Sequence, residues 1–99
     1  MTKHHQNWAA PFNEAKSQAD ARRQAAHNEA QQQHRKSVAA ARKRHAAERR
    51  QADPDAQYHR QVRELKALND ELDSAIRAAD EAYHAEVARL GQEHGVTVG

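Results

Sequence analysis

His27, His34 and His45 are the residues whose chemistry shows first, since eight histidines among 99 residues is a high count. Spacings of seven and eleven residues put these three on one face of a helix. At 1.5 Å of rise per residue they stand about 10 Å and 16 Å apart along it. One metal ion needs helical ligands three or four residues apart, as in His-Glu-x-x-His. No metal site within one chain is therefore expected. His4 and His5 lie near the amino end, and His59 and His84 each follow a tyrosine. Histidine titrates near pH 6.5 when unperturbed. Acid should therefore add positive charge and weaken any self-assembly that this charge opposes. An oligomeric state unchanged from about pH 8 to about pH 5.5 would refute that expectation.

Catalytic chemistry finds little to use. The chain has no cysteine, hence no thiolate nucleophile, and its three glycines stand at 91, 95 and 99, away from any phosphate-cradling loop. Ser17 and Ser37 sit in polar, helix-forming surroundings without a base and its orienting partner. The carboxylates are spread over polar stretches, and there is too little apolar mass to line a water-excluding pocket. The expectation is a non-enzyme with no cofactor and no small-molecule substrate.

The clearest charge chemistry is basic. The doublets Arg35-Lys36, Arg42-Lys43 and Arg49-Arg50 recur every seven residues, and Arg44 adds to them. Positions 34–50 hold seven Lys/Arg and two His against one acid, Glu48. On a helix the doublets make two adjacent lines of charge with about 10.5 Å between repeats. Such a surface can meet nucleic-acid phosphate, an acidic protein face, or the chain's own acidic half. A reader of base sequence is not expected, because Gln31-Gln32-Gln33 interrupts the approach to the basic stretch and Pro54 separates it from the heptads that follow.

The elements that must position these residues follow from composition. Of the 37% hydrophobic residues, 22 are alanine and only 15 are larger. Burying one large side chain contributes roughly 1.5–3 kcal/mol, whereas ordering one residue's backbone costs about 1–2 kcal/mol. A self-sufficient core is therefore not expected, and helices should bury their faces against a partner. Ala, Gln, Arg, Glu, Lys and Leu favour helix, and strand-favouring residues are sparse. No apolar run approaches the 18 or so residues of a membrane span. The first residues lack a signal-peptide pattern. The expected location is thus soluble, cytoplasmic or virion-associated.

The fold class is all-α, with two long helices either folded back as a hairpin or kinked at Pro54. Asp53 suits an N-cap, Pro54 the first helical position and Asp55 the first turn. Four stretches result: an N-terminal arm over 1–12 with Trp8 and Phe12 as an aromatic anchor, an alanine-rich basic helix over 13–52, an acidic heptad-patterned helix over 53–94, and a tail over 95–99. The absence of glycine near the break argues against a tight hairpin. Gly91 and Gly95 are the candidate stop signals. Residues 1–53 carry eleven Lys/Arg and five Asp/Glu, a net of +6, and residues 54–99 carry five and nine, a net of −4.

Coiled-coil-like packing is expected in the second helix. Val62, Asn69, Ile76, Tyr83 and Leu90 occupy a positions, and Tyr58, Leu65, Leu72, Ala79 and Glu86 occupy d positions. An Asn at a single a position, as Asn69 is, can fix register. Leu68, Ala75, Ala82 and Val87 widen the apolar face beyond a dimeric zipper, toward a bundle or a larger partner. In the first helix Phe12, Ala19, Ala26, Gln33, Ala40 and Ala47 repeat at seven and invite close approach. The residues expected at protein interfaces are Trp8, Phe12, Tyr58, Val62, Leu65, Leu68, Asn69, Leu72, Ile76, Tyr83, Val87 and Leu90. Those expected to meet phosphate or an acidic partner are Arg35, Lys36, Arg42, Lys43, Arg44, Arg49 and Arg50.

The functional expectation is a structural or assembly protein acting through helix–helix contacts, on copies of itself or as a small component of a larger, virion-like complex. Nonspecific nucleic-acid association through 34–50 is the first alternative. A small helical inhibitor or adaptor docking on one partner protein is the second. No membrane partner is expected.

Overall fold

The computed structural model describes residues 3–96, with side chains described from residue 10 onward. The chain is an all-α helical hairpin. Helix α1 spans Lys3–Ala47 and helix α2 spans Pro54–Glu93, packed antiparallel into a rod of 78 × 19 × 16 Å. Among the described residues there is no strand. The radius of gyration is 21.9 Å, against about 13 Å for a globular domain of this length.

Helix α1 starts earlier than the proline pattern suggests. It runs through Pro11, whose ring cannot donate to the carbonyl four residues back. Trp8 lies outside the residues whose side chains are described. At the other end α1 stops at Ala47, with Arg44 and His45 in its last turn, where positive charge suits the helix dipole.

The connection over 48–53 contains no glycine, yet it reverses the chain, so the break is a hairpin and not a kink. Side chains supply what glycine does not. Asp53 has extended backbone, with φ −115° and ψ 91°, and its Oδ1 accepts from Ala56 N at 3.1 Å as the N-cap of α2. Gln57 donates to the Arg49 carbonyl at 3.0 Å and to Glu48 at 3.2 Å, and it accepts from Gln51 N at 3.3 Å. The reversal is thus tied to the first turn of α2.

The stop of α2 is set by Gly95 rather than Gly91. Gly95 has φ +66°, a conformation that costs residues with a Cβ. Its N–H donates to Gln92 O at 3.3 Å, and Val96 N donates to Gly91 O at 2.8 Å. This is the Schellman pattern, and Val96 completes it by packing on the apolar cluster of Phe12, Val87 and Leu90.

Candidate helix–helix interaction surface

The residues of the seam between the helices fall on lines that repeat at eleven residues. Phe12, Arg23, His34 and His45 form one inward line of α1, and Ala19, Ala30 and Ala41 form another. On α2 the matching lines are Gln57, Leu68, Ala79 and Leu90; Gln61, Leu72, Tyr83 and His94; and Leu65, Ile76 and Val87. Seven residues fall about 20° short of two helical turns, so a seven-residue stripe drifts round a straight helix, whereas a straight pair keeps its contact on an eleven-residue stripe. Of the ten heptad positions, Leu65, Leu72, Ile76, Ala79, Tyr83, Glu86 and Leu90 lie on this inward side. Ala26, Gln33, Ala40 and Ala47 are exposed, as are Tyr58 and Val62, whereas Asn69, also exposed, reaches back to His34.

Close approach is made by Ala19 and Ala41, which are 1% and 0% exposed. Phe12, Val87 and Leu90 form the apolar cluster at the open end of the hairpin, with Ala15, Tyr83 and Val96 against it. The ring of His94 meets Phe12 edge-on. Leu65, Leu68, Leu72, Ile76 and Tyr83 are only half-buried, because alanines cover them incompletely from α1. Tyr58 and Val62 remain 62% and 43% exposed.

The three histidines singled out by spacing all face α2. His27 Nε2 lies 2.8 Å from Asp80 Oδ1, His34 Nε2 lies 2.7 Å from Asn69 Oδ1, and His45 Nε2 lies 2.8 Å from Glu64 Oε2. An ionised carboxylate only accepts, so His27 and His45 are the donors. These rungs set the antiparallel register. Asn69 thus acts as the partner of His34 across the hairpin. Among the described residues no cluster of His, Asp and Glu has the arrangement of a metal site.

Ion pairs between the helices run along the flank that carries the His45–Glu64 contact. Arg44 meets Glu64 at 2.7 Å, Arg60 meets Glu48 at 2.5 Å, and Arg22 meets Glu86. The hydrogen bond from His45, then that from Arg44, holds the Glu64 carboxyl below the usual carboxylate range. Arg60 first, then Gln57 and Gln61, hold Glu48 down to about 2. Arg23 pairs with Asp20 at 2.8 Å and lies 4.1 Å from the centre of the Tyr83 ring, a cation–π placement.

Sequence reasoning missed Glu48, Gln57, Gln61, Glu64 and Asp80 as seam residues because they are polar. The signal was present: Asn69 and Asp80 stand eleven apart, like His34 and His45.

The basic stretch is exposed. Glu64 engages Arg44, but Arg35, Lys36, Arg42, Lys43, Arg49 and Arg50 have no acidic partner among the described residues. The antiparallel register explains this. It brings the start of α2, with Arg60, Arg63 and Lys66, alongside them and carries the acidic part of α2 to the far end.

No helix of the described residues is long and apolar enough to cross a membrane. Compared with models of protein families, with characterised proteins and with solved structures, the chain matches none.

Proposed function

We propose that this chain is a non-enzymatic structural or assembly protein that works through helix–helix contacts, as a small component of a larger protein complex. The observation that carries the reading is incomplete burial. Among the described residues only Phe12, Val87 and Leu90 of the large apolar side chains are buried, while Leu65, Leu68, Leu72 and Ile76 stay half-open. The rod exposes 7703 Å², against about 5700 Å² expected of an 11 kDa globular monomer. A chain with this surplus gains from pairing its surface with another helix. Small virion and phage assembly proteins often have this character, and a virion-associated or cytoplasmic location is proposed by analogy of class alone.

The test is absolute mass by light scattering at about 50 mM and about 500 mM salt, with circular dichroism alongside. A helical oligomer that persists in high salt is the expected result. A fully helical, thermally stable monomer up to millimolar concentration would overturn the reading.

A second reading, nonspecific association with nucleic acid, is favoured by the six cations of 35–50 that have no acidic partner among the described residues. It predicts retention of an oligonucleotide that falls steeply with salt, shows little sequence preference, and is lost in the variant Arg42→Glu, Lys43→Glu, Arg44→Glu. Retention by that variant would remove the basic stretch from consideration.

A further inference from the structure

The part of the rod between the loop and the His34–Asn69 contact carries more positive charge than its own acids can meet. Residues 35–68 hold ten Lys/Arg and four Asp/Glu, a net of +6. Three of the four acids are engaged: Glu48 by Arg60, Glu64 by Arg44 and His45, and Asp53 as the N-cap of α2. The fourth, Asp55, stands in the first turn of α2, where the helix dipole favours it. Arg35, Lys36, Arg42, Lys43, Arg49 and Arg50 are exposed, and Arg63 of α2 joins them without an acidic partner among the described residues.

An exposed aromatic ring stands among these cations. Tyr58, Asn69 and Asp80 share an eleven-residue line of α2, and the contacts of Asn69 with His34 and of Asp80 with His27 place that line at an edge of the seam. On α1 the same edge carries His27 and Val38, with Arg42 one turn on from Val38. The His34–Asn69 and His45–Glu64 contacts bracket both Arg42 and Lys66, which sets these two cations at one level of the rod. Lys66 also meets Asp70 of its own helix. Arg49 lies on the loop side, where Gln57, the neighbour of Tyr58, donates to its carbonyl at 3.0 Å. Tyr58 itself is 62% exposed. Among the described residues its one aromatic neighbour, His59, meets it at 62° and so does not stack on it. Tyr83, by contrast, is half-buried with Arg23 over its ring. Tyr58 thus offers an open π-face between Arg49 on the loop and Arg42 and Lys66 further along the rod.

We propose that this half of the hairpin binds single-stranded nucleic acid, with phosphates on Arg35, Arg42 and Arg49 and one base stacked on Tyr58. It rests on the nucleic-acid reading of the basic stretch, and adds which strand form is held and what α2 contributes. Arg35 and Arg42 stand about 10.5 Å apart along α1, and Arg49 follows seven residues on, just past the helix end at Ala47. A phosphate backbone laid along α1 meets all three. Phosphate contacts alone carry no preference for sequence and accept duplex and single strand alike. Tyr58 decides between the two forms. Only an unpaired, unstacked base has a face free to lie on its ring, and such stacking tolerates any base.

Fluorescence anisotropy on the full chain tests this with labelled dT and U strands of about 12 nucleotides, within the site sizes of single-strand binders, and with a duplex of the same length. The expected result is binding of a single strand at about 50 mM salt, roughly tenfold or more tighter than the duplex, that weakens steeply as salt rises. The ratio of the dT and U constants assigns deoxyribose or ribose. Tyr58→Leu, which keeps an apolar side chain without a ring, should weaken binding by roughly 5- to 150-fold at an unchanged salt slope, and Tyr58→Phe should bind like the wild type. Because Tyr58 is exposed, both variants should keep wild-type helicity by circular dichroism. Arg42→Gln should lower the logarithmic salt slope by about 0.7, the share of one phosphate on a single strand. Binding by Tyr58→Leu equal to that of the wild type would overturn the proposal and leave the nucleic-acid reading standing. So would a duplex held as tightly as the single strand. A polyglutamate peptide that displaces the strand as well as unlabelled dT does would overturn it too. If no oligonucleotide binds up to about 0.1 mM protein at low salt, both the proposal and the reading beneath it fall.

Discussion

Arg60 Nη2 donates to Glu48 Oε2 across 2.5 Å, joining the end of α1 to the second turn of α2. Gln57 and Gln61 donate to the same oxygen at 3.2 Å. One carboxylate thus gathers three donors and closes the hairpin in place of a glycine turn.

Acid should open this clasp. Glu48 sits at about 2 in the folded chain against 4.5 ordinarily, chiefly because of Arg60. A carboxylate lowered on folding stabilises the fold above its ordinary value, and that contribution is lost as pH falls through the folded value. Glu64, also lowered, acts in the same sense. Helicity and thermal midpoint should therefore drop between about pH 4.5 and about pH 2. Glu48→Gln should melt below the wild type at neutral pH, and the gap should close near pH 2. A gap of constant size down to that pH would show that Glu48 is not the titrating clasp.

Ala41 sets how closely the helices approach, being fully buried. Ala41→Leu adds apolar surface yet should destabilise the hairpin by about 1–3 kcal/mol, because the added methyl groups meet the facing helix. Ala40→Leu, one residue away and exposed, is the control and should shift stability by less than about 0.5 kcal/mol. Urea unfolding of both variants checks this. Equal effects would mean that the seam does not run along the Ala19–Ala30–Ala41 line.

What the sequence made legible was local, and what it hid depended on the partner helix. The two helices, the break at Asp53-Pro54 and the Asp53 cap follow from neighbouring residues, and the structure has them all. The shared face of His27, His34 and His45 was readable from spacing. Their partners were not, because Asp80, Asn69 and Glu64 lie 53, 35 and 19 residues away and meet them only once the register is set. The heptad stripe leaves the hairpin seam only at its start, at exposed Tyr58 and Val62, for a geometric reason: periods of seven and eleven agree over two turns and part over five. Gly91 and Gly95 were equivalent stop signals by composition, and only the backbone distinguishes them.

Gly95 therefore offers a sharp test of backbone conformation. A Cβ there would meet nothing within 4 Å, so any cost of substitution comes from its φ of +66° rather than from crowding. Gly95→Ala should destabilise the end of α2 by about 1 kcal/mol, and Gly95→Asn by less, since Asn tolerates the left-handed region. Amide hydrogen exchange over 87–96 is the measurement, with faster exchange at Val96 expected first. Protection unchanged in Gly95→Ala would show that the Schellman closure does not hold this end.

Phe12 carries the last prediction, because it is the one large buried side chain that α1 contributes among the described residues. It packs on Val87 and Leu90 at the open end, about as far from the loop clasp as the rod allows. Phe12→Ala should cost about 3 kcal/mol, the usual loss for deleting a buried phenyl ring. The loss should also be uneven. The open end should fray while the clasp around Glu48 stays protected, since a 78 Å two-helix rod has no central core to couple its ends. Residue-resolved exchange distinguishes this from a global effect. If protection falls equally at both ends, the hairpin behaves as one cooperative unit and the two end clusters are not independent. If it falls only around Phe12, Val87 and Leu90, the ends open separately. In that case the flank between them, with Leu65 and Ile76 half-covered, gains cooperativity by packing on another chain.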